Sequence, residues 1–263
     1  GPVAGGVERV AGCIGDEGTG DEPTVATQLA GELEHRAAGG GIDRLHVAGV
    51  HVDGRRESGF QGAFDVTVQP LWATWQQARA AGRRPTPDEL AAARARVDWR
   101  AVQVSARQIR LARPGMAITL NGIAQGYAAD QARQVLQQHG IAHALLDAGE
   151  WAPLGQAPDG QPWQLGLADP RDGSRLLRRL QAGGRGIAVS TDVQLRFGAD
   201  PADDRDHHIL DPRSGRSPPH LAAVVVAAPS TTLADALTKV LFMGTPAQAL
   251  ALARRWEIGR AHV

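Results

Sequence analysis

The sequence predicts an α+β fold in which helices pack on mainly antiparallel sheet. Short apolar runs are separated by turn residues, single helices break up those runs, and no repeat of 20–50 residues is evident. At 263 residues with 43% apolar content, the chain can bury the core of one large domain or two small ones.

Residues 1–57 stay unassigned. They are rich in Gly, Glu and His, show no sustained period of 2 or 3.6, and contain at most a short helix over 28–37. The glycine-rich stretch 15–20 lacks the Lys-Ser/Thr ending of a phosphate loop. Organisation begins after that. Residues 64–68 alternate apolar and polar, and Pro70, Trp72 and Trp75 then lead into a helical stretch. Thr86-Pro87-Asp88-Glu89 offers an N-cap, a proline at the first helical position and acids in the first turn, so a helix runs to about Arg96. Short strands are expected over 102–104, 108–111 and 117–120. Apolar spacing predicts a helix over 124–139, stopped by Gly140. Strands follow over 144–146, 163–167, 176–180 and 186–190. The last elements are a strand over 222–228 and helices over 232–243 and 246–256.

Several function classes are excluded or left without support. Formal net charge is zero, so nothing electrostatic argues for a nucleic-acid partner. Cys13 is the single cysteine, which rules out an internal disulfide. No apolar run reaches the length of a membrane span. Val10-Ala11-Gly12-Cys13 looks like a lipoprotein cleavage box, but Glu8 and Arg9 stand where the apolar signal region belongs. Residues 257–263 read Glu-Ile-Gly-Arg-Ala-His-Val, which a sequencing adapter encodes in one frame; the expectation is that this stretch is adapter-derived.

Four stretches carry possible chemistry. In residues 62–71, Asp65 sits among apolar neighbours and can cap a turn or serve a site. In residues 121–130, Gly122 and Gly126 flank a helix start whose backbone N–H groups suit a phosphate, although such glycines also make simple turns. Residues 207–215 gather His207, His208, Asp211 and Arg213 ahead of a Pro/Gly turn, able to bind phosphate or exchange protons, or merely to end a strand. In residues 234–239, Asp235 shares a helix face with its +3 and +4 positions, so a carboxylate and a hydroxyl can meet a hard cation. An exposed acid near a helix N-terminus would look the same.

Taken together and in order, these stretches resemble the ApbE family. The family pattern is Gly-x-Phe-Asp-x-Thr-x-x-Pro-Leu, Gly-Ile-Ala-Lys-Gly-Tyr-x-x-Asp, a Thr-Ser-Gly segment, His-Ile-x-Asp-Pro-x-x-Gly and Ala-Asp-Ala-Leu-x-Thr. The match runs over about 58–256. The resemblance implies an α+β fold with FAD in a cleft between two parts of the chain and Mg²⁺ at its diphosphate. The implied reaction transfers FMN from FAD to a threonine of an acceptor protein, a membrane redox-complex subunit, and releases AMP. FAD hydrolysis to FMN and AMP, or flavin binding without catalysis, are the alternatives. A periplasmic or inner-membrane-associated bacterial setting is also implied.

By the same carry-over, Asp235, Thr238 and the Ala124 region are expected at the metal, and Asp235 and His208 in catalysis. Asp65, Gly126, Tyr127, Asp130, Ser190, Thr191 and His208 are expected at the flavin nucleotide. Four departures stand out: Gln125 replaces the usual lysine, Gly149-Glu150 replaces a strand-ending Gly-Gly, Ser190-Thr191-Asp192 stands for Thr-Ser-Gly, and Lys239, the only lysine of the chain, replaces the usual threonine. Thr238 is therefore one candidate for the cation site. Lys239 itself, lying in the site and neutralising diphosphate charge, is the other.

Overall fold

The computed structural model describes residues 62–105, 107–197 and 206–255, with the backbone of short strands at 10–11, 46–47, 50–51 and 259–262. The helix expected over 28–37 lies outside the described residues. Among the described residues twelve strands are formed: β1 (Val10–Ala11), β2 (His46–Val47), β3 (Val50–His51), β4 (Val102–Val104), β5 (Ile109–Leu111), β6 (Ala144–Asp147), β7 (Trp151–Leu154), β8 (Gln164–Asp169), β9 (Asp172–Gln181), β10 (Gly186–Thr191), β11 (Ala223–Ala228) and β12 (Gly259–His262). Five α-helices accompany them among the described residues: α1 (Gln69–Ala80), α2 (Pro87–Arg94), α3 (Ala124–Gln138), α4 (Thr231–Phe242) and α5 (Pro246–Arg255).

The main sheet has the order β12-β11-β10-β7-β6, and every neighbouring pair in it is antiparallel. β8 and β9 form a long antiparallel hairpin, joined by β1 in parallel, while β2–β3 and β4–β5 are small separate hairpins. Alternation along β10 and β11 sorts their side chains to two faces. Ala188, Val224 and Val226 pack with Leu237, Leu241 and Phe242 of α4. Ile187 and Val225 point the other way, toward Leu165 of β8 and Trp163. The sheet is thus covered by helix on one face and by the hairpin on the other, the expected α+β arrangement.

A separate apolar corner joins α1 and α2 to Leu210, through Leu71, Trp75, Leu90 and Phe197. Trp75 stacks on Phe197 with centroids 5.5 Å apart, and its Nε1–H donates to the Gly215 carbonyl at 2.8 Å. The Thr86 start of α2 is a full capping box: Glu89 N–H donates to the threonine hydroxyl, and the Glu89 carboxylate accepts from Thr86 N–H. Among the described residues no helix is long and apolar enough to cross a membrane.

One expected strand is corrected here, and two elements arise where none was assigned. Residues 64–68, which alternate apolar and polar, form a 3-10 turn over Val66–Val68 that Asp65 caps by accepting from Thr67 N–H at 2.8 Å, so a local carboxylate bond overrides alternation. Residues 117–120 form no strand, although Thr119 N–H reaches the Val66 carbonyl at 2.8 Å. β7 has no expected counterpart; it carries Pro153 in its middle, a residue disfavoured in a sheet interior. The structure accommodates Pro153 opposite Leu145 of β6, and β7 meets β10 at one pair only, Ile187 with Trp151.

α3 and α4 touch closely. A Cβ on Gly126 would lie 2.6 Å from the Thr231 carbonyl oxygen and 2.8 Å from Asp235 Cβ. Gly126→Ala should therefore destabilise the protein by about 1–3 kcal/mol, since neither obstacle is a flexible side-chain tip. Urea unfolding of the two proteins checks this, and equal midpoints would show that the helices can part at no cost.

Candidate functional site

The separated motifs converge on one cleft of about 670 Å³. Its walls come from Phe64 and Asp65 before α1, Gly122, Ala124 and Gln125 at the start of α3, Ser190 of β10, His208 to Leu210, and Lys239 of α4. Each segment is brought there by the core already described: the sheet carries Ser190 and α4, and the α1–α2 corner holds residues 64–72.

The base of the cleft is charged. Asp235 is fully buried. One of its carboxylate oxygens, Oδ2, accepts from Gly126 N–H at 3.1 Å, and the other, Oδ1, is paired with Lys239 Nζ one helical turn on. Glu150 also lines the cleft and is only 2% exposed; its carboxylate accepts from Val189 N–H at 2.9 Å. Burial pushes the Glu150 carboxyl well above the usual range and the Asp235 charge adds to this, while the Lys239 charge and the Val189 bond act in the opposite direction.

Thr238 faces elsewhere. Its hydroxyl donates to the Asp235 carbonyl at 2.6 Å and lies 2.7 Å from Ser190 Oγ, so it is packed against β10. Adjacent helix positions differ by about 100°, which is why Thr238 meets the sheet and Lys239 the cleft. Ser190 lines the cleft but shares its hydroxyl with Thr238, and Thr191 Oγ1 is buried without a hydrogen-bond partner in the protein.

Asp130 has a different role from the one expected. Its carboxylate accepts from Thr231 N–H at 3.0 Å, Thr232 N–H at 2.8 Å and the Thr232 hydroxyl at 2.6 Å. These bonds satisfy the N-terminal amides of α4 and leave the carboxylate committed to the fold. Neither Asp130 nor Tyr127, half-buried on α3, is among the residues lining the cleft. Gly126 sits under Asp235, outside the walls. Asp65 does line the cleft, while its carboxylate accepts from Thr67 N–H, the Thr67 hydroxyl and Trp99 N–H. Burial raises its pKa above the ordinary value.

The histidines divide. His207 is buried, its ring 5.4 Å edge-on from Phe242 and its Nε2 3.2 Å from the Pro218 carbonyl. His208 lines the cleft, with Nδ1 lacking a partner in the protein. Burial, aided by His207 and Lys239, pushes His208 down to about 4 from the ordinary 6.5. It is therefore a neutral imidazole at pH 7. Asp192, next to Thr191, is held by a two-pronged bond from Arg171 at 2.7 and 2.6 Å.

Residues 56–261 match the model of the ApbE family. The chain belongs to the ApbE family. It is 31% identical over 194 residues to the FAD:protein FMN transferase of Salmonella typhimurium, covering 70% of this chain and 55% of that relative. The Haemophilus influenzae FAD:protein FMN transferase is 30% identical over 206 residues, 74% and 59% of the two chains. Among solved structures, the apo Pseudomonas stutzeri flavinyl transferase ApbE is similar with a TM-score of 0.64 at 33% identity, over 76% of this chain and 63% of that one. The ApbE protein of Thermotoga maritima gives a TM-score of 0.68 at 27% identity, over 77% and 70%. The chain thus spans somewhat over half the length of these curated relatives. The ApbE-family match reaches residue 261, and β12 over Gly259–His262 pairs with β11.

The magnesium expected in an ApbE-like cleft can be tested against the donors present. Mg²⁺ takes near-octahedral oxygen, commonly from one or two carboxylates together with water and phosphate. Here both Asp235 oxygens are already paired, the Thr238 hydroxyl is bonded on the sheet side, and an ammonium lies beside the carboxylate. Among the described residues no group of three or more His, Cys, Asp or Glu could hold a metal. With Asp235 and Thr238 engaged in this way the residues do not fit a divalent ion in this arrangement, while Ala124 lines the cleft at the start of α3. Glu150 was given no site role from sequence: it stands where the family pattern has the second glycine of Gly-Gly, and the departure alone does not show that its carboxylate lines the cleft.

Two predictions follow from this geometry. Asp130→Ala should lower stability by about 1–3 kcal/mol through the lost helix cap and stranded amides, while flavin titrations stay unchanged; a large loss of flavin affinity at full folding would return Asp130 to the cleft. The second concerns pH. An unfolded imidazole takes a proton near 6.5 and folded His208 resists until about 4, so in that window the unfolded state binds more protons. Stability should fall as pH drops from 6.5 to 4, by about 1.4 kcal/mol per unit for this proton, and be unaffected by it above 6.5. Unfolding at pH 7 and pH 5 should show a shallower loss for His208→Gln than for the parent; parallel losses would sink the assignment.

Proposed function

We propose that this protein transfers the FMN half of FAD to a threonine hydroxyl of an acceptor protein and releases AMP. The observation that supports the reading most is the convergence of four sequence-distant segments, all within the span matching the ApbE family, on one cleft. The relatives named FAD:protein FMN transferase supply the substrate class. A subunit of a membrane redox complex as acceptor, in the periplasm or at the inner membrane, belongs to the same proposal and rests on resemblance.

In this reading, the threonine oxygen bonds to the FMN phosphorus as the bond from that phosphorus to the bridging oxygen breaks. AMP departs with the bridging oxygen and its electron pair. His208, neutral at pH 7 and with Nδ1 lacking a partner in the protein, lines the cleft and can receive the hydroxyl proton. Such transfer depends on positioning and charge neutralisation more than on covalent chemistry. The magnesium implied by resemblance is not used here, because its donors are already paired; protein groups at the base of the cleft carry that load.

Incubating the protein with FAD and a bacterial membrane-protein fraction, then reading in-gel flavin fluorescence and released AMP, tests the reading. A fluorescent acceptor band supports transfer, free FMN points to hydrolysis, and unchanged FAD to a binding protein. His208→Ala should slow transfer by about 10²–10⁴-fold with flavin affinity retained. His207→Ala is the control, because its ring packs on Phe242. Loss of transfer in the His207 variant alone would overturn the role given to His208.

A further inference from the structure

The lone lysine of the chain occupies a specific place. Its Nζ is paired with Asp235 Oδ1, its side chain is only 20% exposed, and it lines the same cleft as Glu150, Ser190 and His208. Its stem runs past the start of α3, with Cε 3.9 Å from the position of a Cβ on Gly122. Its charge also acts on Glu150 and on His208, two other groups lining the cleft.

We propose that Lys239 is the resident cation of this cleft, binding the diphosphate of the flavin dinucleotide in place of a free divalent ion. The assignment rests on the flavin reading above. An ammonium has three N–H donors. One is engaged by Asp235, and the others are free to meet anionic oxygens in the cleft. Asp235 fixes the ammonium, and its own second oxygen is held by Gly126 N–H, so the pair is anchored from below. A mobile metal ion would have to displace the ammonium from Asp235 and break the Thr238–Ser190 bond to gain two protein oxygens. A tethered charge needs neither rearrangement and carries no entropic cost of recruitment.

The experiment is an FAD titration by calorimetry, in EDTA and in excess Mg²⁺, on the full chain and on Lys239→Thr and Lys239→Met. The parent should give the same dissociation constant in both buffers. Both variants should bind FAD about tenfold more weakly in EDTA, the expected loss of one charge-assisted hydrogen bond. In Lys239→Thr, with the ammonium gone and an oxygen in its place, Mg²⁺ should recover the affinity and raise the melting temperature without flavin; Mg²⁺ should leave the parent melting temperature unmoved. A second readout needs no variant. Since Lys239 is the only lysine, peptide mapping after acylation reports on it alone, and FAD should protect it in EDTA. Parent binding that vanishes in EDTA and returns with Mg²⁺ would overturn the proposal, as would unprotected acylation at saturating FAD. A parent that melts cooperatively yet binds no FAD in either buffer would overturn the flavin reading itself, and the two failures are thereby distinguished.

Discussion

The structure depends on a reciprocal clamp between two helices. Asp130 of α3 satisfies the first amides of α4, and Asp235 of α4 satisfies an amide in the first turn of α3. Each helix start is closed by a carboxylate from the other, which answers both the orphan amides and the positive end of the dipole. The pairing of 126 with 235 and 130 with 231 runs the helices antiparallel. Glycine permits the approach twice: Gly126 leaves room for the Thr231 carbonyl, and Gly186 at the start of β10 leaves room for the Thr231 backbone, 2.2 Å from where its Cβ would sit.

The cleft inherits its shape from that clamp. With α4 pinned to β10 and α3, Asp235 is locked below the surface and Lys239 emerges on the open side. Asp235 therefore has two functions at once. One oxygen belongs to the helix contact and one to the ammonium, so removing the carboxylate strands an amide and a charge together. Loss of activity on truncating this residue is not by itself a sign of direct participation in chemistry. His208 is held differently: its backbone N–H donates to the Leu195 carbonyl at 2.9 Å, tying the imidazole wall to the chain that leaves β10.

Much of this was legible before any coordinates. The capping box at Thr86, the apolar spacing of α3 and α4, and the β-branched run of β11 are local signals, and each produced its element within a few residues. The ordered motifs identified the cleft walls at Asp65, Ala124, Ser190 and His208. What the sequence hid were partners far apart in the chain. Asp130 reads as a site residue in its motif, but its partners are 101 and 102 residues away, and no local pattern exposes a cap supplied from another helix. β7 was hidden for the opposite reason, since the local signal of Pro153 was real and the nearly absent pairing to β10 made it harmless. Glu150 showed in the sequence only as a departure, an acid where the family pattern has the second glycine of Gly-Gly. Its significance comes from burial beside Asp235 and Lys239, which only the packed structure supplies.

One residue choice ties these levels together. Apart from the histidines, every other basic side chain is arginine, yet the cleft uses lysine. Guanidinium is a planar fork that matches both oxygens of a carboxylate at once, as Arg171 does with Asp192 and Arg213 with Asp211. Asp235 can offer only one oxygen, because the helix clamp holds the other at Gly126 N–H. A fork would lack its second partner there and would leave buried donors unmatched. A compact ammonium needs a single oxygen and keeps its remaining donors for the cleft. The packing of α3 on α4 thus determines not only where the charge sits but which side chain can carry it.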